Sequence, residues 1–414
     1  MQANDVKNRP LVYDASRLFS DSSGSWSDAD GALAEQFAAP SPLGSALRAG
    51  SRGLIEAPTA GLRARLAAQR SEKGAWGERE AAFAAVRTWI LDADSSLSAR
   101  FRPQARRPDW RGVNLPSWPT GRVPRPPSGA VFLKVGLRGW DNPYLERWLE
   151  SRRDLLPVAV MAEPWALDFP EYESAAQNAA LVRGIEVLGR YAAAILAPDA
   201  AAADRFAGAI AAGRRELPIR VERQPSGLAG STPVEFDPVL AAAPYLVLAG
   251  PIEARANTLL MLQAWRDLVG RGCAAPKLVI AGRRGRQIEQ IAPMLDWCEA
   301  IRPYVCEAPD LGPNGLRRLI VHARALLAPA FTAGEAPLLR DARRLGTPII
   351  AADSAPFREV LGDSSKVLHP LDGLAWREAV LRAGEEEPRQ GVDDASLPQW
   401  REWREGVLNF LGTL

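Results

Sequence analysis

Histidine is nearly missing from the 414-residue chain: only His322 and His369 occur. That leaves little material for imidazole acid–base chemistry or a histidine-rich metal centre. Cysteine is almost as scarce. Cys273, Cys298 and Cys306 form an odd set without the paired short spacing of a zinc site, so reduced, inert thiols in a cytoplasmic setting are expected in preference to a disulfide framework. No run approaches the roughly 18 apolar residues of a membrane-spanning helix, and the opening MQANDVKNRP has no apolar signal core. A soluble protein is expected. Excess charge is lacking too: 51 Lys and Arg stand against 49 Asp and Glu, a net charge of +2, so nothing announces a nucleic-acid partner.

What is present is apolar residue in quantity, 47% of the chain, enough for two full cores. Short apolar runs alternate with helical periodicity, the pattern of parallel α/β domains. In the first half the runs are a strand around Leu11, Ala130 to Gly136, Leu156 to Met161 and Ala193 to Ala197. Helical stretches cover 143–154, 175–191 and 199–212, with a further helical pattern over 61–91. Residues 101–127 are dense in Arg and Pro around Trp110 and Trp118; Pro at this density predicts a long irregular connection. Pro233 to Pro238 reads as an interdomain link.

The second half repeats the alternation more regularly. Strands are predicted at Tyr245 to Ala249, Lys277 to Ala281, Val305-Cys306, Leu326 to Ala328 and Ile349 to Ala352. Helices are predicted after Thr258 and over 287–300, 313–325, 337–345 and 372–384. His322 falls on one of them, where a packing or surface role is expected. A terminal helix over 396–414 sets Trp400, Trp403, Val407, Phe410 and Leu411 on one side. Arg283, Arg284 and Arg286 follow the strand at Lys277 and read equally well as cations beyond a strand end or as a solvated turn.

Three stretches carry a resemblance. Gly250-Pro251-Ile252-Glu253-Ala254-Arg255-Ala256-Asn257 follows a buried strand and precedes a helix. Leu326 to Gly362 forms a strand–helix–strand unit with Gly346-Thr347-Pro348, Asp353 and Pro356-Phe357-Arg358-Glu359. Pro170-Glu171-Tyr172 follows a strand of the first half. Together they resemble the retaining GT-B glycosyltransferases of family 4, the type that builds bacterial surface polysaccharides.

The resemblance implies a GT-B α/β fold: two Rossmann-like domains facing each other across a cleft, 1–235 on the acceptor side and 236–392 on the nucleotide-sugar side. A helix within 393–414 would cross back to the first. It further implies transfer from a nucleotide sugar to a glycan or lipid-linked acceptor at the inner face of the membrane, with no metal and no cofactor. Arg255, Arg283 and Arg284 would meet the donor diphosphate, Asp341 the ribose, and Glu163 and Glu335 stand nearest the sugar. The family's active-site groups are altered in this chain. Ala162 takes a histidine position, Ala256 a lysine, Ala333 a glutamate, and the phosphate-binding Gly turn corresponds to the acidic Ser20 to Gly31. Three functions are therefore expected: a catalytically degenerate protein acting through binding or a protein partner, an active transferase with substitute residues, or an interaction scaffold with an empty cleft.

Overall fold

The computed structural model describes residues 11–14, 79–91, 126–211, 216–228, 233–309, 311–332, 334, 336–362, 366–387 and 400–414. The chain divides into two compact units. One combines Met1–Glu72, Gly112–Gln224 and Gln399–Leu414; the other combines Lys73–Arg111 and Pro225–Pro398. Among the described residues, in chain order, the helices of eight or more residues are α1 (79–91), α2 (Pro143–Ser151), α3 (Ala175–Tyr191), α4 (Ala200–Ala211), α5 (Thr258–Gly270), α6 (Pro313–His322), α7 (Ala336–Arg344), α8 (Gly373–Glu385) and α9 (Trp400–Leu411).

The first unit carries five parallel strands: β1 (Leu11–Asp14), β2 (Val131–Val135), β3 (Leu156–Val160), β4 (Ala194–Ala197) and β5 (Ile219–Val221), lying side by side in that order. β2 and β4 are buried at every position, as strands covered on both faces must be, and this is why they read as unbroken apolar runs. α3 starts where it does because Ser174 and Gln177 form a capping box, each side chain satisfying the other's backbone. Trp140 is fully buried between these elements and donates from Nε1 to the Gly136 carbonyl at 3.1 Å. α9 turns Trp400, Trp403, Val407 and Leu411 inward, and the Trp403 indole donates to the carbonyl of Glu222, just past β5.

The second unit carries six parallel strands: β6 (Tyr245–Ala249), β7 (Lys277–Ala281), β8 (Val305–Glu307), β9 (Ala325–Ala328), β10 (Ile349–Ala352) and β11 (Lys366–Leu368). Their order is β11-β10-β9-β6-β7-β8. The chain winds outward one way from β6 and then outward the other way from β9, the doubly wound arrangement of dinucleotide-binding sheets. The helix expected over 287–300 is confined to Ala292–Trp297, because Gln287 sits at φ 53° and Pro293 occupies the first turn.

α1 belongs to this second unit, although its sequence lies within the N-terminal half and the limits drawn from sequence put it with the first domain. Its buried face, Phe83, Val86, Trp89 and Ile90, joins the core around Tyr245 and Trp265, a gain on the order of 1.5–3 kcal/mol per large apolar side chain. Polar ties fix its register. Lys277 Nζ donates to the Trp89 carbonyl at 2.6 Å, and the Arg318 guanidinium lies 3.7 Å from the Phe83 ring centroid. Arg87 Nε meets Asp237 at 2.7 Å. Asp237 in turn caps the short helix Pro238–Ala242 by accepting from Val239 and Leu240. Its own N–H donates to Nε2 of His322 at 2.8 Å, while Nδ1 faces the Arg318 carbonyl at 2.7 Å. His322 therefore carries its proton on Nδ1 and serves as a buried packing residue.

Hydrogen bonding from Arg87 holds the Asp237 carboxyl down at about 2, below its ordinary 3.8. A depressed carboxylate contributes stability that is present above the unfolded value and lost as pH falls through the folded one. Arg87→Ala is thus expected to lower the urea midpoint at neutral pH, with the gap from the unaltered chain closing as pH drops from about 4 to about 2.

Candidate functional site

In an open doubly wound sheet, ligands bind beyond the carboxyl ends of the strands where the winding reverses. Here that place lies between β6 and β9. A crevice opens there, lined by Gly250, Pro251 and Ala256 from the β6 side and by Ala328, Pro329 and Ala330 from the β9 side. Its space is about 220 Å³, some of it open solvent, and the part a water can enter is about 10 Å³, close to the room one water needs.

The turn after β6 shapes the crevice. Asn257 adopts left-handed backbone, φ 55°, between a 3₁₀ turn at Ala254–Ala256 and the start of α5. Asparagine tolerates that conformation better than most residues. Its side chain does not cap the helix. Instead Nδ2 donates to the carbonyls of Pro329 at 3.1 Å and Pro370 at 2.8 Å, so one carboxamide ties the β6 turn to the loops following β9 and β11. Gly282, just past β7, passes so close to Gly250 that a Cβ there would overlap the Gly250 carbonyl oxygen.

Arg255 is buried, 8% exposed. It forms an ion pair with buried Glu253, donates from Nη1 to Thr332 Oγ1 at 3.0 Å, and accepts the Phe331 N–H at its carbonyl, also at 3.0 Å. It is thereby held against the loop that follows β9. Ala256, at the position where the resemblance implies a lysine, lines the crevice with a methyl group. Arg284 is engaged elsewhere: its guanidinium bonds both oxygens of Asp296 at 2.8 and 3.0 Å and both of Glu307 at 2.7 and 2.8 Å. Glu307, then Asp296, raise its pKa above the ordinary value. Arg283 has an exposed position and accepts the Ile252 N–H at its carbonyl at 2.8 Å.

Asp341 lies on α7 and is 1% exposed. Burial raises its carboxyl above the ordinary range, partly offset by the hydroxyl of Ser226, which donates to Oδ2 at 2.5 Å. Glu163 belongs to the first unit, half-buried after β3. Glu335 and Ala333 lie outside the described residues, as does Ser20 to Gly31. The second unit thus places Ala256 in the crevice, holds the adjacent Arg255 against Glu253 and Thr332, and sets Arg284 into an ion-pair cluster of its own. The partners that decide this, Glu253, Thr332, Asp296, Glu307 and Ser226, were not singled out from sequence. Glu253 and Thr332 fall within stretches that carry the resemblance; Asp296, Glu307 and Ser226 do not. Among the described residues, no cluster of His, Cys, Asp and Glu is placed to hold a metal, and no helix is long and apolar enough to cross a membrane.

No family model matches the chain, and no curated protein does. Solved structures are similar to it at low identity. Sucrose-phosphate synthase from Thermosynechococcus elongatus is 12% identical, with 68% of this chain and 71% of that one covered and a TM-score of 0.49. HepE of Anabaena in complex with UDP is 13% identical, with 66% and 83% covered and a TM-score of 0.47. A variant of S. aureus TarM in complex with fondaparinux, alpha-GlcNAc-glycerol and UDP is 9% identical, with 64% and 53% covered and a TM-score of 0.42.

The contact of Gly282 with Gly250 generates a prediction about the crevice floor. Gly282→Ala is expected to force β6 and β7 apart at their ends and cost about 1–3 kcal/mol in urea unfolding. Gly208→Ala, within α4 where an added Cβ meets nothing within 4 Å, is expected to be neutral or stabilising by up to about 1 kcal/mol.

Proposed function

We propose that this chain is a glycosyltransferase-like protein of the GT-B type, from bacterial surface polysaccharide biosynthesis, that has lost catalysis and works by binding or through a protein partner. It acts on the cytoplasmic side of the membrane. The observation that carries this reading is the methyl group of Ala256 in the switch-point crevice, together with the engagement of the neighbouring cations by carboxylates of the chain itself.

Departure of a nucleoside diphosphate without a metal needs positive groups aimed at the oxygen where charge develops. Arg255 is matched by Glu253, and Arg284 by Asp296 and Glu307. A guanidinium already paired inside the protein must give up that pairing to serve a leaving group, and the exchange returns little. Loss of one such donor costs ~10²–10³ in rate. On this reading Asp341 marks the ribose side of the nucleotide site, and Glu163 marks the sugar side of the first unit without a histidine beside it.

Titration calorimetry with UDP-, GDP- and TDP-sugars, paired with a transfer assay on a polyprenyl-linked acceptor, tests the proposal. No turnover is expected from the unaltered chain with any donor. Ala256→Lys, which puts an ammonium into the crevice, is expected to tighten binding of the preferred UDP- or GDP-sugar by about tenfold, the worth of one charge-assisted hydrogen bond. Turnover by the unaltered chain that Arg255→Ala abolishes overturns the degenerate reading and establishes an active transferase.

A further inference from the structure

Between β5 and the strands of the second unit, residues 225–228 enter the second unit and bury all three of their side chains; only Gly227 is exposed. Leu228 is fully buried in the core of that unit and anchors the segment. Ser226, 5% exposed, holds its hydroxyl in a fixed sense. Its oxygen accepts the Leu228 N–H at 2.9 Å, and its proton goes to Oδ2 of Asp341 at 2.5 Å. A carboxylate buried to this degree needs a donor, and here the donor is an alcohol delivered by the chain itself.

We infer that residues 225–228 are a built-in occupant of the nucleoside end of the second unit's site, with the Ser226 hydroxyl taking the bond to Asp341 that a ribose hydroxyl of a bound nucleotide would take. The inference rests on the donor-side reading of Asp341 given above. Three features favour an occupant over a mere tie. The contact is alcohol to carboxylate, the same pairing that ribose recognition uses. Asp341 stands on the helix that follows β9, the strand whose carboxyl end forms one wall of the switch-point crevice. Burial raises the Asp341 carboxyl, and the Ser226 hydroxyl, followed by Arg340 and Arg344 on the same helix, pulls it back toward its charged form, the form that accepts hydrogen bonds from alcohols. Because the serine is part of the chain, it competes at a high effective concentration, and a free nucleotide must displace it before reaching the carboxylate.

The experiment compares the full-length chain with Ser226→Ala and Ser226→Gly by calorimetry, using UDP and 2′,3′-dideoxy-UDP as probes. Both variants are expected to bind UDP at least about tenfold more tightly than the unaltered chain. The gain is expected to be absent for the dideoxy nucleotide and to vanish when Asp341→Asn is added. A Ser226 variant that gains nothing, or gains equally for both nucleotides, overturns the inference. Hydrogen exchange at the Leu228 N–H of the unaltered chain gives a second measurement independent of any variant's folding. It is expected to speed up in saturating UDP and not in the dideoxy analogue; unchanged exchange with UDP bound overturns the inference. Turnover by the unaltered chain together with a Ser226→Ala gain would reject the degenerate reading and leave this inference standing. An inactive chain without the gain would do the reverse.

Discussion

The carboxamide of Asn257 holds the working edge of the second unit together. Its left-handed backbone turns the chain from β6 into α5, and its two hydrogen bonds reach the loops after β9 and β11. A buried amide that met no carbonyl would cost about 1–3 kcal/mol. Satisfied twice, it locks three strand ends into one arrangement. That arrangement fixes where the preceding residues point, Arg255 toward Glu253 and Thr332 and Ala256 into the crevice. The electrostatic character of the site is thus set by backbone geometry before any ligand is considered.

The same economy runs through the unit. Glu253 answers Arg255, Asp296 and Glu307 answer Arg284, Asp353 answers Arg358, and Ser226 answers Asp341. An active site for phosphoryl or glycosyl transfer keeps some of its charges uncompensated until substrate arrives, because preorganised, unpaired donors are what lower the barrier.

Much of the fold was legible in the residues, because strands buried on both faces must be apolar at every position. β6, β9 and β10 announce themselves for that reason. The helix expected over 287–300 came out shorter because the apolar periodicity of Ile288, Ile291 and Leu295 does not reveal that Gln287 turns to positive φ. The allegiance of α1 was illegible on different grounds: an amphipathic face declares that it will be buried but not against which sheet. At the site, the position of Arg255 in a turn was readable from its neighbours. The fate of Arg284 was not, since its partners lie 12 and 23 residues away and only the meeting of β7, β8 and the Ala292–Trp297 helix brings them together. Ser226 sat in an aperiodic stretch, where one hydroxyl resembles any other until a buried carboxylate is found beside it.

The docking of α1 also bears on how the chain is made. Lys277 and Trp89, joined at 2.6 Å, are 188 residues apart. During synthesis α1 leaves the ribosome well before any strand of the sheet it completes, with Phe83, Val86, Trp89 and Ile90 awaiting their socket. At roughly 5–20 residues per second that interval lasts on the order of ten seconds or more, long enough for an exposed apolar face to find the wrong surface. Only when β6 and β7 follow does that face gain the core it packs against.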